Sequence, residues 1–211
     1  MFQSLLPITD GMIRAGDARP GPTGMKTHTD YRLRKATDAD AAAIGALIAR
    51  SIRQLGAADY TPAQIEGALQ GAFGVDTSLI RDQTYFVVTA AAGGALLACG
   101  GWSRRSTLFG SDTRVERDDA LLDPQLDAAR IRAFFVDPAH ARRGLGRLML
   151  EHCEAEAVRS GFSRFELMAT LPGKRLYERC GYTAREPLTY PLPGGERITF
   201  VPMWKALSPV R

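Results

Sequence analysis

The chain has 211 residues, 45% of them apolar and 24% charged, and 27 Lys and Arg stand against 23 Asp and Glu for a formal net charge of +4. That length suits one well-buried domain and is short for two, and the composition is that of an ordinary globular protein. The slight basic excess is too weak to argue for a specific nucleic-acid partner, although it suits a site for a phosphate-bearing ligand.

Residues 1–29 carry Gly11, Gly16, Pro20, Gly21, Pro22 and Gly24 with little periodic hydrophobicity. They read as a flexible extension before a domain over residues 30–207, with 208–211 as a tail. No basic stretch followed by a long apolar run opens the chain, so no signal peptide is expected.

A strand is expected from Tyr31, where Tyr31, Leu33 and Lys35 alternate with Arg32 and Arg34. Asp38 can cap a helix whose buried face is Ile44, Leu47, Ile48, Ile52 and Leu55. Thr61, Pro62 and Gln64 form a capping-box start for a second helix, with Ile65 and Leu69 on its apolar side. Two strands follow, at about Tyr85–Ala91 and Ala95–Ser103, and Gly93-Gly94 between them signals a hairpin. That glycine pair also breaks the longest apolar stretch, so no membrane span is expected.

Residues 104–129 form a long polar connection, a length that is often functional or mobile. A strand from Arg130 to Val136 ends at Asp137-Pro138, and a helix follows Gly144 and runs to about Gly161. A strand over Arg164–Ala169, a short helix over Gly173–Cys180 and a terminal strand pair, Tyr182–Tyr190 with Arg197–Trp204, complete the series. The expected order is β-α-α-β-β-β-α-β-α-β-β.

The chemistry concentrates where the Arg130–Val136 strand passes through a short turn into the helix. Arg142-Arg143-Gly144-Leu145-Gly146-Arg147 sits at that junction. Glycines let a backbone come close to a ligand. The first-turn N–H groups of a helix lack internal partners, and with the helix dipole they favour an anion. Arg142, Arg143 and Arg147 add positive charge, and a pyrophosphate is a fitting guest. The absence of Gly-Lys-Ser/Thr argues against a P-loop, and the missing third glycine and repeated βαβ units argue against a dinucleotide fold. A basic turn opening a surface helix is the alternative that these residues alone leave open.

About 30 residues further on, just after a strand, comes Arg175-Leu176-Tyr177-Glu178-Arg179-Cys180-Gly181-Tyr182. The two segments in this order and spacing resemble the GNAT N-acetyltransferase superfamily. The resemblance is strongest over residues 130–183, and the element order extends it over about residues 30–207. It implies a mixed α+β GNAT fold, with a central twisted mixed sheet of about six to seven strands flanked by about four helices. It also implies acetyl-CoA as co-substrate, no metal, and an amine acceptor attacked directly in a ternary complex. The motifs do not choose between a small-molecule amine, the reading preferred here, and a protein lysine or N-terminus. A non-catalytic acyl-CoA-binding module is a further alternative.

By this resemblance, Arg142, Arg143, Gly144, Leu145, Gly146 and Arg147 bind the pyrophosphate, mostly through backbone N–H groups. The backbone of Phe134, Phe135 and Val136 meets the pantetheine arm and the thioester oxygen, where an N–H stabilises developing negative charge. Tyr177 stands near the sulfur as proton donor to the departing thiolate. Two positions depart from the family pattern. Ala141 lies where a Gln or Arg is common, and Thr170 is the nearest counterpart of a cofactor-binding Asn.

The general base is not evident. Arg130–Val136 contains Arg132 and no carboxylate, so Glu166 on the next strand is the candidate, with Asp59, Glu116 and Asp118 as loop alternatives and a water relay equally compatible. Tyr60, Trp102 and Ser103 are expected to border the acceptor groove. His140 reads as an exposed loop histidine and His152 as part of a helix face. Cys99, Cys153 and Cys180 form no CxxC pair, which argues against a disulfide framework or structural zinc and for reduced thiols in a cytoplasmic protein. Cys153 and Cys180 read as small buried hydrophobes. Exposed terminal strands offer pairing edges, and the resemblance implies a possible homodimer.

Overall fold

The computed structural model describes residues 31–112 and 120–207. The expected extension and tail, and the candidates Glu116 and Asp118, lie outside the described residues. Within them the chain runs β1 (Tyr31–Lys35), α1 (Ala41–Leu55), α2 (Pro62–Ala68), α3 (Thr77–Arg81), β2 (Tyr85–Ala90), β3 (Leu96–Ser103), β4 (Ala129–Val136), α4 (Leu145–Arg159), β5 (Arg164–Thr170), α5 (Lys174–Arg179), β6 (Thr183–Ala184), β7 (Leu188–Pro191) and β8 (Arg197–Ala206). The strands form one eight-stranded sheet in the order β1-β2-β3-β4-β5-β8-β6, with β7 also paired to β8. β4 and β5 run parallel, and every other strand pairing is antiparallel.

Local sequence explains most of these elements. Thr61 and Gln64 close a reciprocal capping box at α2, with Pro62 at the first helical position. Gly93 and Gly94, with φ of 89° and 65°, turn β2 into β3, where the Ala90 N–H donates to Ala95 O. Two features differ from the expectation. α3 has five residues, too few to show a helical period, and starts where the Asp76 carboxylate accepts from the Ser78 N–H. The expected strand over Tyr182–Tyr190 is two strands, β6 and β7, because Pro187 has no N–H for the ladder. Across that break the register against β8 slips by one residue, from Thr183↔Trp204 to Leu188↔Phe200.

Each face of the sheet buries its own core. Phe86, Ala98, Ile131, Phe165, Leu167 and Met203 pack with Leu145, Met149, Leu150 and Cys153 of α4 and Tyr177 of α5. On the other face Val87, Cys99, Ile198 and Phe200 pack with Ile44, Leu47 and Ile48 of α1 and Ile65 of α2. The described ends of the 104–128 connection pair with each other and with the approach to β2. Arg105 bridges Leu121, the Ser106 N–H donates to Ala120 O, and Arg105 forms an ion pair with Asp82 at 2.6 Å.

β1 is tied to α1 by a bidentate pair, in which Arg34 donates to both Asp40 oxygens at 2.7 Å while the Thr37 N–H adds a third bond at 2.8 Å. The hydrogen-bonded Arg34 guanidinium, opposed by burial and helped by Thr37, holds the Asp40 carboxyl well below the usual carboxylate range. A depressed folded value contributes stability that is present above the unfolded pKa of about 3.9 and is lost as pH falls through the folded one. Asp40→Asn is therefore expected to lower stability at pH 7 and to matter less at pH 3, as read from urea melts at both values.

Candidate active site

The site begins where two strands part. Ala129, Arg130 and Ile131 of β4 run beside Phe165, Glu166 and Leu167 of β5, and the ladder between them ends there. β5 then stays with β8 as far as Thr170↔Phe200, while β4 stays with β3 as far as Val136↔Ala98. β4 is also bulged, since Gly101 faces Arg132 while Cys99 faces Phe135, and Ala133 takes a φ of +56°.

The bulge decides which backbone groups face the gap. The Cys99 thiol donates to Ala133 O at 3.8 Å, so the Phe134 N–H, on the opposite side of that trans peptide, points away from β3. Phe135 lies opposite Cys99, two residues along the antiparallel ladder from Asp137, whose N–H bonds Leu97 O, so its N–H also faces β3. The Asp137 N–H donates to Leu97 O at 2.8 Å, which turns the Val136 C=O away from β3. Strand alternation thus presents the backbone of Phe134 and Val136 to the gap and that of Phe135 to β3.

The turn after β4 is anchored by Asp137, whose carboxylate accepts from the Ala139 N–H at 3.0 Å and pairs with Arg50 of α1 at 3.2 Å. Arg142 and Gly144 adopt φ of +63° and +86° and swing the chain into α4. Gly144 is the N-cap, and no side chain bonds the first-turn N–H groups there. Leu145 is buried, whereas Arg142, Arg143, Gly144 and Arg147 are exposed. Arg147 pairs with Glu151 one turn on at 2.7 Å, so Arg142 and Arg143 are the cations on the turn itself. His140, beside it, is partly buried and approaches Asp137 at 3.4 Å.

A cavity of about 70 Å³ opens between β4 and β5. It is lined by Ile131 to Phe135, by Met168 and Thr170 of β5, by Tyr177, and by Phe73, Phe109 and Phe200. Tyr177 meets the Phe134 ring at 6.4 Å and the Tyr182 ring at 5.8 Å, and burial raises its pKa well above the usual tyrosine range. Thr170 Oγ1 accepts from the Gly173 N–H at 3.3 Å, which shapes the turn into α5.

Other candidates are held elsewhere. Glu166 is ion-paired with Arg130 and with Arg185 and is not part of the lining. Tyr60 is buried, donates to Thr199 O at 2.9 Å and accepts from the Leu171 N–H at 2.8 Å. Burial pushes its pKa up to about 12. Trp102 packs against Phe162 in the α4-side core, and Ser103 Oγ accepts from the Arg105 N–H. The rings Phe73, Phe109 and Phe200 were not legible as site residues, because the segments that carry them are far apart in sequence. Arg132 carried a signal, since an arginine inside an apolar strand needs a buried partner.

The "Acetyltransferase (GNAT) family" profile matches residues 50–182, more than half of the chain. The chain belongs to the GNAT acetyltransferase family. Solved structures share this acetyltransferase's fold. The GCN5-related N-acetyltransferase of Rhodopseudomonas palustris, described also as an aminotransferase of class II, aligns at TM-score 0.62 and 21% identity over 87% of this chain and 100% of that one. The ribosomal-protein-S18-alanine N-acetyltransferase of Escherichia coli aligns at 0.53 and 18%, over 86% of this chain and 96% of that one. A GNAT acetyltransferase of Brucella melitensis in complex with acetyl-CoA aligns at 0.51 and 16%, over 87% and 92%. No curated protein sequence matches the chain. No helix among the described residues is long and apolar enough to cross a membrane.

Tyr60→Phe is expected to leave the Leu171 N–H and Thr199 O without their partner at little change in volume. Each buried unsatisfied group costs about 1–3 kcal/mol. Urea denaturation checks this, and an unchanged midpoint would free the Tyr60 hydroxyl from its bracing role.

Proposed function

We propose that this acetyltransferase moves an acetyl group from acetyl-CoA to a primary amine of a small molecule, by direct attack in a ternary complex. The observation that carries the reading is the gap between β4 and β5, faced by the backbone of Phe134 and Val136 and followed along the chain by the uncapped start of α4. Backbone N–H groups at Gly144, Leu145 and Gly146, with Arg142 and Arg143, suit a pyrophosphate. Phe134 and Val136 offer strand-like pairing to an amide-containing arm, and an N–H here stabilises charge developing on the thioester oxygen. The relative solved with acetyl-CoA bound shares this fold.

Tyr177 is the proton donor to the departing thiolate in this reading. Its raised pKa keeps the hydroxyl protonated, so it can donate a hydrogen bond to the sulfur as negative charge develops there. Attack needs a neutral amine, and Glu166, held by Arg130 and Arg185, leaves the amine proton to water. The small aromatic cavity, walled on one side by Leu108, Phe109 and Gly110, favours a small acceptor over a protein one.

Calorimetric titration with acetyl-CoA, followed by an amine and peptide panel read as thiol release, tests the proposal. Binding with thiol release on small amines is expected. No binding at high micromolar concentration removes the activity, and release on peptides alone moves the acceptor to a protein. Tyr177→Phe is expected to keep acetyl-CoA affinity and lower kcat by about 10²–10⁴-fold. Its full activity would leave solvent as the proton donor. Gly144→Ala meets no neighbour but must hold a φ of +86°. It is expected to cost about 1–2 kcal/mol of stability and to weaken acetyl-CoA binding, as read by melting and titration.

A further inference from the structure

Arg132, which lines the cavity, belongs to a charge pair that the acetyl-transfer reading does not use. Arg132 projects from the bulge of β4 with its side chain 2% exposed, and its Nη2 lies 2.7 Å from Oδ2 of Asp76, which is fully buried. The same nitrogen donates to Gly110 O at 2.9 Å. Asp76 is itself oriented by the Ser78 N–H at 3.2 Å and hydroxyl at 2.5 Å. One planar guanidinium thus joins three segments that are remote in sequence: β4, the approach to α3, and the 108–112 segment.

Burying such a pair gives little net stability compared with apolar residues of similar volume, so its effect is better sought in what it positions. What it positions is Phe109. This ring lies 5.1 Å from Tyr190 and 5.5 Å from Phe200, Phe200 lies 5.8 Å from Phe73, and Phe73 lies 5.8 Å from Phe135. The rings form one continuous wall, and Phe109 is the member carried by a connection rather than by a strand or the turn after α2. Beyond Gly110, the Ser111 N–H and hydroxyl donate to Gly71 O and the Asp112 N–H donates to Val75 O. Gly74 permits this approach, since a Cβ there would sit 2.7 Å from the Ser111 Cβ.

We infer that Arg132 is a positioning residue that sets acceptor specificity: it holds the 108–112 segment against β4, keeping Phe109 in the aromatic wall, so that the site takes an amine on a small apolar carrier in preference to a hydrophilic polyamine. The inference rests on the acetyl-transfer reading, and its test separates the two. In Arg132→Lys the ammonium keeps a charge beside Asp76 but ends short of the position of Nη2, the atom that reaches both Asp76 and Gly110 O.

The variant is compared with wild type for melting temperature, for amide exchange at Ser111 and Asp112, and for kcat/KM on benzylamine and spermidine. Expected are a melting temperature within a few degrees, exchange at both amides faster by about tenfold or more, and a benzylamine preference reduced by about tenfold or more through KM, with the KM for acetyl-CoA unchanged. Phe109→Ala is expected to lose the same preference without the exchange effect at Asp112. Should Arg132→Lys not fold, the Asp76→Asn/Arg132→Gln pair, which removes both charges and keeps a hydrogen bond, takes its place under the same expectations. Unchanged exchange overturns the inference, and so does faster exchange with unchanged preference. Wild-type protein that acetylates no amine removes the acetyl-transfer reading and the inference with it, whatever the exchange shows.

Discussion

The site depends on the parting of β4 and β5 after Ile131↔Leu167. Backbone N–H and C=O groups inside a sheet must be paired, because a buried polar group without a partner is costly. β5 meets that requirement by staying with β8, and β4 by staying with β3 across the bulge at Ala133. What remains is a strand end at which Phe134 and Val136 turn polar backbone into a gap. Such a surface suits a ligand that is itself extended and rich in amides.

The elements around the gap follow from where the two strands go. β4 leads through the Asp137 turn into α4, so the open N–H groups of the helix come directly after the exposed backbone of the strand. β5 leads through the Thr170–Gly173 turn into α5, which brings Tyr177 back against Phe134. Tyr60 braces this second path by bonding to both Leu171 and Thr199. On the face opposite α4, the aromatic wall and the Arg132–Asp76 pair close the gap. One face of the β4–β5 gap thus faces the elements suited to the cofactor, and the other the elements suited to the acceptor.

Much of this was legible because it rests on local chemistry. Positive φ at Gly93 and Gly94, the capping box at Thr61 and Gln64, and Gly144 before a helix each leave a signature within a few residues. The remainder depends on contacts remote in sequence. The bulged strand has no glycine to mark it, since Ala133 takes the positive φ. α3 is shorter than two helical turns, and its start is fixed by a buried aspartate whose partner lies 56 positions further on. Trp102 and Tyr60 were placed at the groove because strand ends and helix junctions often border one. Trp102 turns to the opposite core, and the Tyr60 hydroxyl is taken up by backbone groups.

Acetyl-CoA, in the function proposed, occupies the β4–β5 gap and the start of α4. Hydrogen–deuterium exchange with and without acetyl-CoA tests it most directly, because the backbone groups concerned are those whose exchange is read. Acetyl-CoA is expected to protect the amides of Phe134 and Val136 together with those of Leu145 and Gly146, while the β1–β2 pairing is unaffected. Saturating acetyl-CoA that leaves the 134–136 and 144–147 amides unprotected, or protects another surface in their place, would contradict it.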